Sequence, residues 1–355
     1  MPSFRTGKVV RLLEERPGLQ RVEVDLGDGP ERAYALPQLT GPVALGDPVV
    51  VNTTAVELGL GTGGWHVVHW NLSRDEWHER GPGHIIKGRY TSLQADVGST
   101  EEHLESLAEV ESIGGMPVVA AALHSQIPAV AAAFKDRAPG ARLAYVMTDG
   151  AGLPMAMSDL VAAMCERKLV DATITCGHAF GGDFEAVSVY SALAVARTVT
   201  HADAAVVAMG PGIVGTNTRL GFSGMEVGTI LDAACALGGV AIACLRVSFA
   251  DERPRHYGLS HHTATALRLA TRERVLVAVP ALRDEEQAER LAADLHDAGI
   301  DRRHELVVVD SPDALELLAN HHLRVKSMGR PAEDDPALFQ AAAAAGALAA
   351  VHVDG

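Results

Sequence analysis

The stretch ADAAVVAMGPGIVGTNTRLGFSG, Ala202 to Gly224, decides how the chain is read. After Asp203 it opens on a continuous apolar run of strand length. A strand exposed to water on one face alternates apolar and polar residues, so an unbroken run implies cover on both faces, as in a parallel sheet. The rest, Gly210 to Gly224, carries five glycines among fifteen residues and is too long for an ordinary connection. Long loops without structure of their own usually bind something or close as a lid.

The same rhythm repeats on both sides. PVVAAAL, RLAYVMT, DATITC, GVAIACLRVSF, RVLVAVPAL and HELVVVD read as further strands, and HIIKGRYTSLQADV (84–97) as the first of the series. Between them lie runs of helical length, from EEHLESLAEVESI (101–113) to HHTATALRLATR, DEEQAERLAADLHDA and PDALELLANHHL. Asp335 and Pro336 open a last helix, as cap and first-turn residue. Strand–helix alternation builds parallel βαβ units. The expected fold is therefore α/β, with a largely parallel, doubly wound sheet over residues 84–355; a β/α barrel is the alternative. Residues 1–80 differ. Short alternating runs such as LQRVEVDLG and DPVVVNTTAVEL, split by Gly, Pro and Asp, predict a small β-barrel-like domain. The Gly-rich turn and strand of GLGTGGWHVVHWNL close it, and the polar segment 73–83 serves as linker.

Composition sets limits. The 355 residues are 48% apolar and 21% charged, which suits a globular chain. Acidic residues outnumber basic ones 45 to 30, for a formal charge of −15. That excess opposes non-specific binding to nucleic acid or anionic membranes. The first residues lack a signal-peptide core, and no run reaches the length of a membrane span; AAAAAGALAAVHV comes nearest. Cys165, Cys176, Cys235 and Cys244 show no CxxC spacing. A reduced, cytoplasmic protein is the expectation.

In either architecture ligands gather at the carboxyl ends of the strands. There the apolar runs are followed by His124; by Asp149; by Cys176, His178, Asp183 and Glu185; by the glycine-rich stretch; and by Asp251, Arg253, Arg255, His256, His261 and His262. The opposite loops look like ordinary solvated connections. Each group also has a plain structural use. A lone His124 can sit at a helix start, Asp149 opens an Asp-Gly turn, Cys176 is a small core residue, and His261–His262 suits a solvated first turn. His178, flanked by Gly177 and followed by two carboxylates, is the hardest to explain structurally. Together, His178 as general acid/base, Asp149 as its orienting partner or a metal ligand and His124 as a second proton-transfer group form the candidate catalytic set.

Gly210, Gly212 and Gly215 match the G-x-G-x-x-G spacing, but no helix can open within these glycines, and the acidic residue due about 20 positions later is missing. A standard dinucleotide site is therefore not expected. Backbone N–H groups of such a loop can still cradle an anion, with Thr216, Arg219, Arg255 and His256 adding donors. A divalent metal ion is the competing cofactor, with His178, Asp183 and Glu185 as candidate ligands, although no HExxH, HxH or CxxC spacing supports it.

The motifs GHIIKGRYTSLQ, ALHSQIPAVA, VMTDGAGLP, TITCGHAFGGDFEAV, GPGIVGTNTRLGFSG and FADERPRHYGLSHHT, with LGLGTGG near the front and SMGRPAEDDP near the end, carry a resemblance over nearly the whole chain. The sequence resembles an uncharacterised bacterial family catalogued as domain of unknown function 3866. The resemblance implies a bacterial, actinobacterial or related, source and supplies no activity. The expectation from the residues is a homo-oligomeric enzyme of hydrolase or lyase type, acting on a small anionic or phosphorylated metabolite. A non-catalytic ligand-binding or regulatory protein is the alternative.

Overall fold

A computed structural model describes residues 1–60 and 63–353. Part of the Gly-rich turn expected before the last barrel strand, at positions 61 and 62, lies outside the described residues. The chain divides into two compact units, Met1–Gly98 and Ser99–Gly355.

The first unit is a closed barrel of β1 (Phe4–Arg16), β2 (Leu19–Asp25), β3 (Pro30–Ala35), β4 (Pro48–Asn52) and β5 (His66–Asn71). Closure depends on β1. Its first residues pair with β4 and the remainder with β2, and register shifts after Val9 and Leu12 bend it from one partner to the other. Val9, Val22, Val24, Ala33, Val49, Val51 and Val68 fill the interior, the inward half of the alternation seen in the sequence. Short helices α1 (Pro37–Thr40) and α2 (Thr54–Glu57) fill the connections. The segment read as the first strand of the α/β series is instead a small antiparallel hairpin of this unit, β6 (Ile86–Lys87) and β7 (Ala95–Asp96). Gly88 and Tyr90 both adopt positive φ, which turns the chain back and prevents one long strand.

The second unit holds β8 (Pro117–Ala120), β9 (Leu143–Thr148), β10 (Ala172–Thr175), β11 (Phe184–Glu185), β12 (Ala204–Met209) and β13 (Val240–Cys244). A side hairpin, β14 (Val247–Ser248) with β15 (Gly258–Leu259), precedes β16 (Leu276–Pro280) and β17 (Glu305–Val309); β18 (Lys326–Ser327) and β19 (Arg330–Pro331) form another. The eight-stranded sheet runs β11-β10-β9-β12-β8-β13-β16-β17, every pair parallel. It is open, with β11 and β17 at its edges, so the β/α barrel alternative falls. The expected helix over 101–113 is replaced by two single 3-10 turns, Thr100–Glu102 and Glu105–Leu107. Its acidic residues are largely exposed, and of its apolar side chains only Ile113 is fully buried, too little to pin a longer helix.

Along each central strand successive side chains enter different cores. In β12, Ala204, Val206 and Ala208 face one core, and Ala205 and Val207 face the other. This two-sided burial is why the sequence shows no alternation. On the first face lie α3 (Ile127–Arg137), α4 (Asp159–Glu166), α9 (Ala314–Asn320) and α10 (Pro336–Val351). The second face is covered by α5 (Val189–Thr198), α6 (Glu226–Ala236) and α8 (Glu285–Asp297), together with the residues after α7 (His261–Thr265), which continues as one π turn through Ala270. Helix α10 is buried nearly all round by alanines, and no described helix is long and apolar enough to cross a membrane. A Cβ at Gly346 would meet the Val130 carbonyl of α3, so the two backbones touch. Asp335 does precede α10, but its carboxylate makes no cap. Oδ2 takes the Ser248 hydroxyl proton at 2.7 Å and pairs with Arg330 at 3.1 Å.

The chain moves outward from β8 through β9 to β10, returns to insert β12 between β9 and β8, then crosses to β13 on the other side. Connections after β8 and β9 pass to one face, and the connection after β12 passes to the other. Such a reversal opens a crevice at the carboxyl ends of the strands.

Candidate functional site

The loops leaving β8, β9, β10, β12 and β13 share this edge, because the strands are parallel. Two clusters stand there, and the glycine-rich loop touches both.

The first cluster is acidic. Asp149 is exposed at the end of β9, and its Oδ2 accepts the backbone N–H of His178 at 2.9 Å. Gly177 permits this contact: its φ is +65°, and a Cβ there would collide with the Asp149 carboxylate. Glu226, at the start of α6, lies over Gly150 and accepts the Thr148 hydroxyl at 2.7 Å. Burial raises the Glu226 carboxyl to about 7; the Asp149 charge raises it further, against the lowering by Thr148. Nothing in the sequence marked Glu226, which reads as an ordinary acidic first-turn residue.

His124 is buried at 8% exposure, and both its nitrogens are engaged. Nδ1 faces the Met209 carbonyl at 3.2 Å, so it carries the proton, and Nε2 accepts the Ser158 hydroxyl at 2.6 Å. Ser158 in turn caps α4 through the Val161 N–H. Burial lowers the imidazole to about 4, so the ring is neutral near pH 7. These bonds tie the ends of β8 and β12 to α4. The carboxylates of Asp183 and Glu185 are also engaged. Asp183 Oδ2 accepts the Thr173 N–H and hydroxyl, and Glu185 accepts the Thr175 hydroxyl and the Gly181 N–H. They staple edge strand β11 to β10. The imidazole of His178 is half-buried nearby.

The second cluster is cationic and imidazole-rich. Arg246 follows β13 and is 3% exposed, with burial lowering its guanidinium to about 10. Asp251, also buried, pairs with Arg253 at 2.7 Å, Arg330 at 3.6 Å and Arg246 at 3.8 Å. The Arg253 hydrogen bonds hold Asp251 well below the usual carboxylate range. Against this network pack His256, His261 and His262, with ring centroids 4.3–4.9 Å apart. Burial, then Arg246, lowers His256 and His262 to about 3, so both are neutral. The His pair read as a solvated turn is thus partly wrong: His262 is 6% exposed.

The glycine-rich loop joins the clusters. Gly152 donates its N–H to the Pro211 carbonyl at 2.9 Å, Phe222 stacks on His262 at 3.9 Å and 3°, and Arg255 donates to Asn217 at 2.8 Å. Many of the loop's own donors are spent internally. Thr216 N–H and hydroxyl bond Gly221, and the N–H groups of Val214, Thr218, Gly221 and Ser223 bond within the loop. Gly215 sits against His262, while Gly210 and Gly212 form the exit from β12. Positive charge at the loop therefore comes from side chains: Arg219 is exposed and Arg255 half-buried. Helix α6 opens at Glu226, well past the glycines. Elsewhere on the same edge, a cavity of about 350 Å³ at the ends of β16 and β17 is lined by Arg283, Asp310, Asp313 and Gln340.

A closed five-stranded barrel in one unit, and in the other a doubly wound parallel sheet with these clusters at its carboxyl edge, define a two-unit α/β protein. The chain belongs to the family described as protein of unknown function (DUF3866), whose model matches residues 32–346. No curated protein matches it.

Proposed function

We propose that the second unit is an enzyme of hydrolase or lyase type that acts on a small anionic or phosphorylated metabolite. The observation that carries this reading is Glu226. Its carboxyl is raised to about 7 at the crevice edge, beside Asp149, where it can both give and take a proton near neutral pH. Glu226 is the general acid/base in this reading. Asp149 lies beside it and accepts the His178 backbone N–H, and Arg219 and Arg255 attract the substrate's charge to an otherwise acidic molecule. His124 keeps the β8 and β12 ends in register and exchanges no proton.

A panel of phosphorylated and carboxylated metabolites, screened by thermal shift and by mass spectrometry of products, tests the proposal. The expected result is a metabolite that both stabilises and is transformed by the wild type, and that stabilises Glu226→Gln without being transformed. A stabilising metabolite that the wild type never converts gives the non-catalytic alternative instead.

A further inference from the structure

Three histidine rings in contact, with one nitrogen of each within 4.8 Å of the other two, invite a metal assignment. The proton positions oppose it. Arg246 Nη1 lies 3.2 Å from His262 Nδ1, and a guanidinium only donates, so Nδ1 is the acceptor and Nε2 of neutral His262 carries the proton. Ser260 Oγ lies 2.7 Å from His256 Nδ1 and accepts the His262 backbone N–H at 3.3 Å. Its own proton has His256 as its acceptor among the described residues, which puts the His256 proton on Nε2 as well. A cation needs lone pairs, and here those of His256 and His262 are turned to Ser260 and Arg246. The surrounding guanidinium groups add repulsion.

What the cluster offers is donors. Nε2 of His262 and Nε2 of His261 are buried atoms with no hydrogen-bond partner among the described residues, and so is Nε of Arg255. A buried N–H without an acceptor costs about 1–3 kcal/mol, so the Nε2–H of His262 and the Nε–H of Arg255 are built to meet an oxygen, and His261 joins them as its Nε2–H tautomer. The His261 and His262 rings stand at 65° to each other. Donors on rings so inclined do not share one plane. That suits the three terminal oxygens of a tetrahedral group better than the two coplanar oxygens of a carboxylate.

We propose that His261, His262 and Arg255 form a phosphoryl-binding pocket, in which the Nε2–H of neutral His262, set by Arg246, joins donors of His261 and Arg255 in holding a tetrahedral oxyanion. The inference rests on the anionic-substrate reading and narrows it to phosphate-type groups. Phe222 keeps the His262 plane fixed from the loop side, and Asn217 holds the Arg255 fork. Free phosphate and a phosphomonoester share this chemistry.

The test is calorimetric titration of the full-length protein with sodium sulfate, inorganic phosphate, glycerol phosphate and acetate, and separately with zinc chloride. Sulfate and phosphate are expected to bind, and acetate about tenfold more weakly or not at all. Arg255→Gln and His262→Phe should each weaken sulfate about tenfold or more. Arg255 is half-buried, so its variant retains the fold even if His262→Phe does not. Tighter binding of glycerol phosphate than of phosphate marks a metabolite site, and the reverse marks a site for the free ion. Nitrogen-15 spectra should show His262 as the Nε2–H tautomer. Stoichiometric zinc binding lost in His262→Phe, an Nδ1–H tautomer of His262, no sulfate binding by the wild type, or sulfate binding unchanged in Arg255→Gln would each overturn the pocket. Sulfate bound there without turnover of any metabolite leaves the pocket standing and removes the enzyme.

Discussion

The Arg255 guanidinium donates a 2.8 Å hydrogen bond to Asn217 Oδ1, joining the turn before His256 to the tip of the glycine-rich loop across 38 residues of sequence. The bond itself is exposed, with Asn217 at the surface and Arg255 half-buried, so it contributes little to global stability. Asn217→Ala should change unfolding free energy by less than about 0.5 kcal/mol. It should nevertheless raise amide exchange across residues 214–221 and weaken anion binding. Unchanged exchange there would show that the loop is held by its internal bonds alone.

Glu226 predicts a pH effect of definite sign. Its folded pKa of about 7 lies above the ordinary 4.5, so the folded state keeps a proton that the unfolded chain releases. The resulting stability is complete below about 4.5 and lost as pH rises through about 7; a shift of this size corresponds to about 3 kcal/mol. Glu226→Gln removes this slope. Urea unfolding of wild type and variant at pH 5 and pH 8 measures it, and parallel profiles would show that Glu226 ionises normally.

His124→Ala should act on stability first. It removes the acceptor of the Ser158 hydroxyl and the donor to Met209, inside a buried site. A loss of about 2–4 kcal/mol is expected. If the variant instead melts with the wild type and loses turnover alone, His124 exchanges protons after all.

Gly346→Leu should be among the most destabilising substitutions in the chain. Even a Cβ at this position meets the Val130 carbonyl, and overpacked cores lose about 1–3 kcal/mol or more. A melting temperature within a degree of wild type would mean that α10 can move off α3.

Much of the fold was legible because burial on both faces leaves a direct trace: LAYVMT and AAVVAM contain no charged residue, and their alternate members enter separate cores. The site was legible only as a list of loops. Asp149, His178 and the Arg255–His262 segment lie at the strand ends where the rule puts them. What the sequence hid was environment. Glu226 resembles any acidic residue of a first helical turn until Thr148 and Gly150 bury it. Arg246 had a visible signal, a lone charge inside the apolar run IACLRVSF, which must find a partner when buried. The segment 84–113 misled because its apolar residues are spaced by chance at strand and helix periods, with positive-φ turns interrupting them.

The placement of α10 has a consequence for how the molecule is made. This helix covers the middle of one sheet face and packs on α3, yet it is the last regular element of the described chain. During synthesis the sheet strands and α3 leave the ribosome first, and their apolar side stays bare until the alanine-rich segment follows. A chain cut short before Pro336 would therefore be a sticky half-sandwich, prone to aggregate or to engage chaperones.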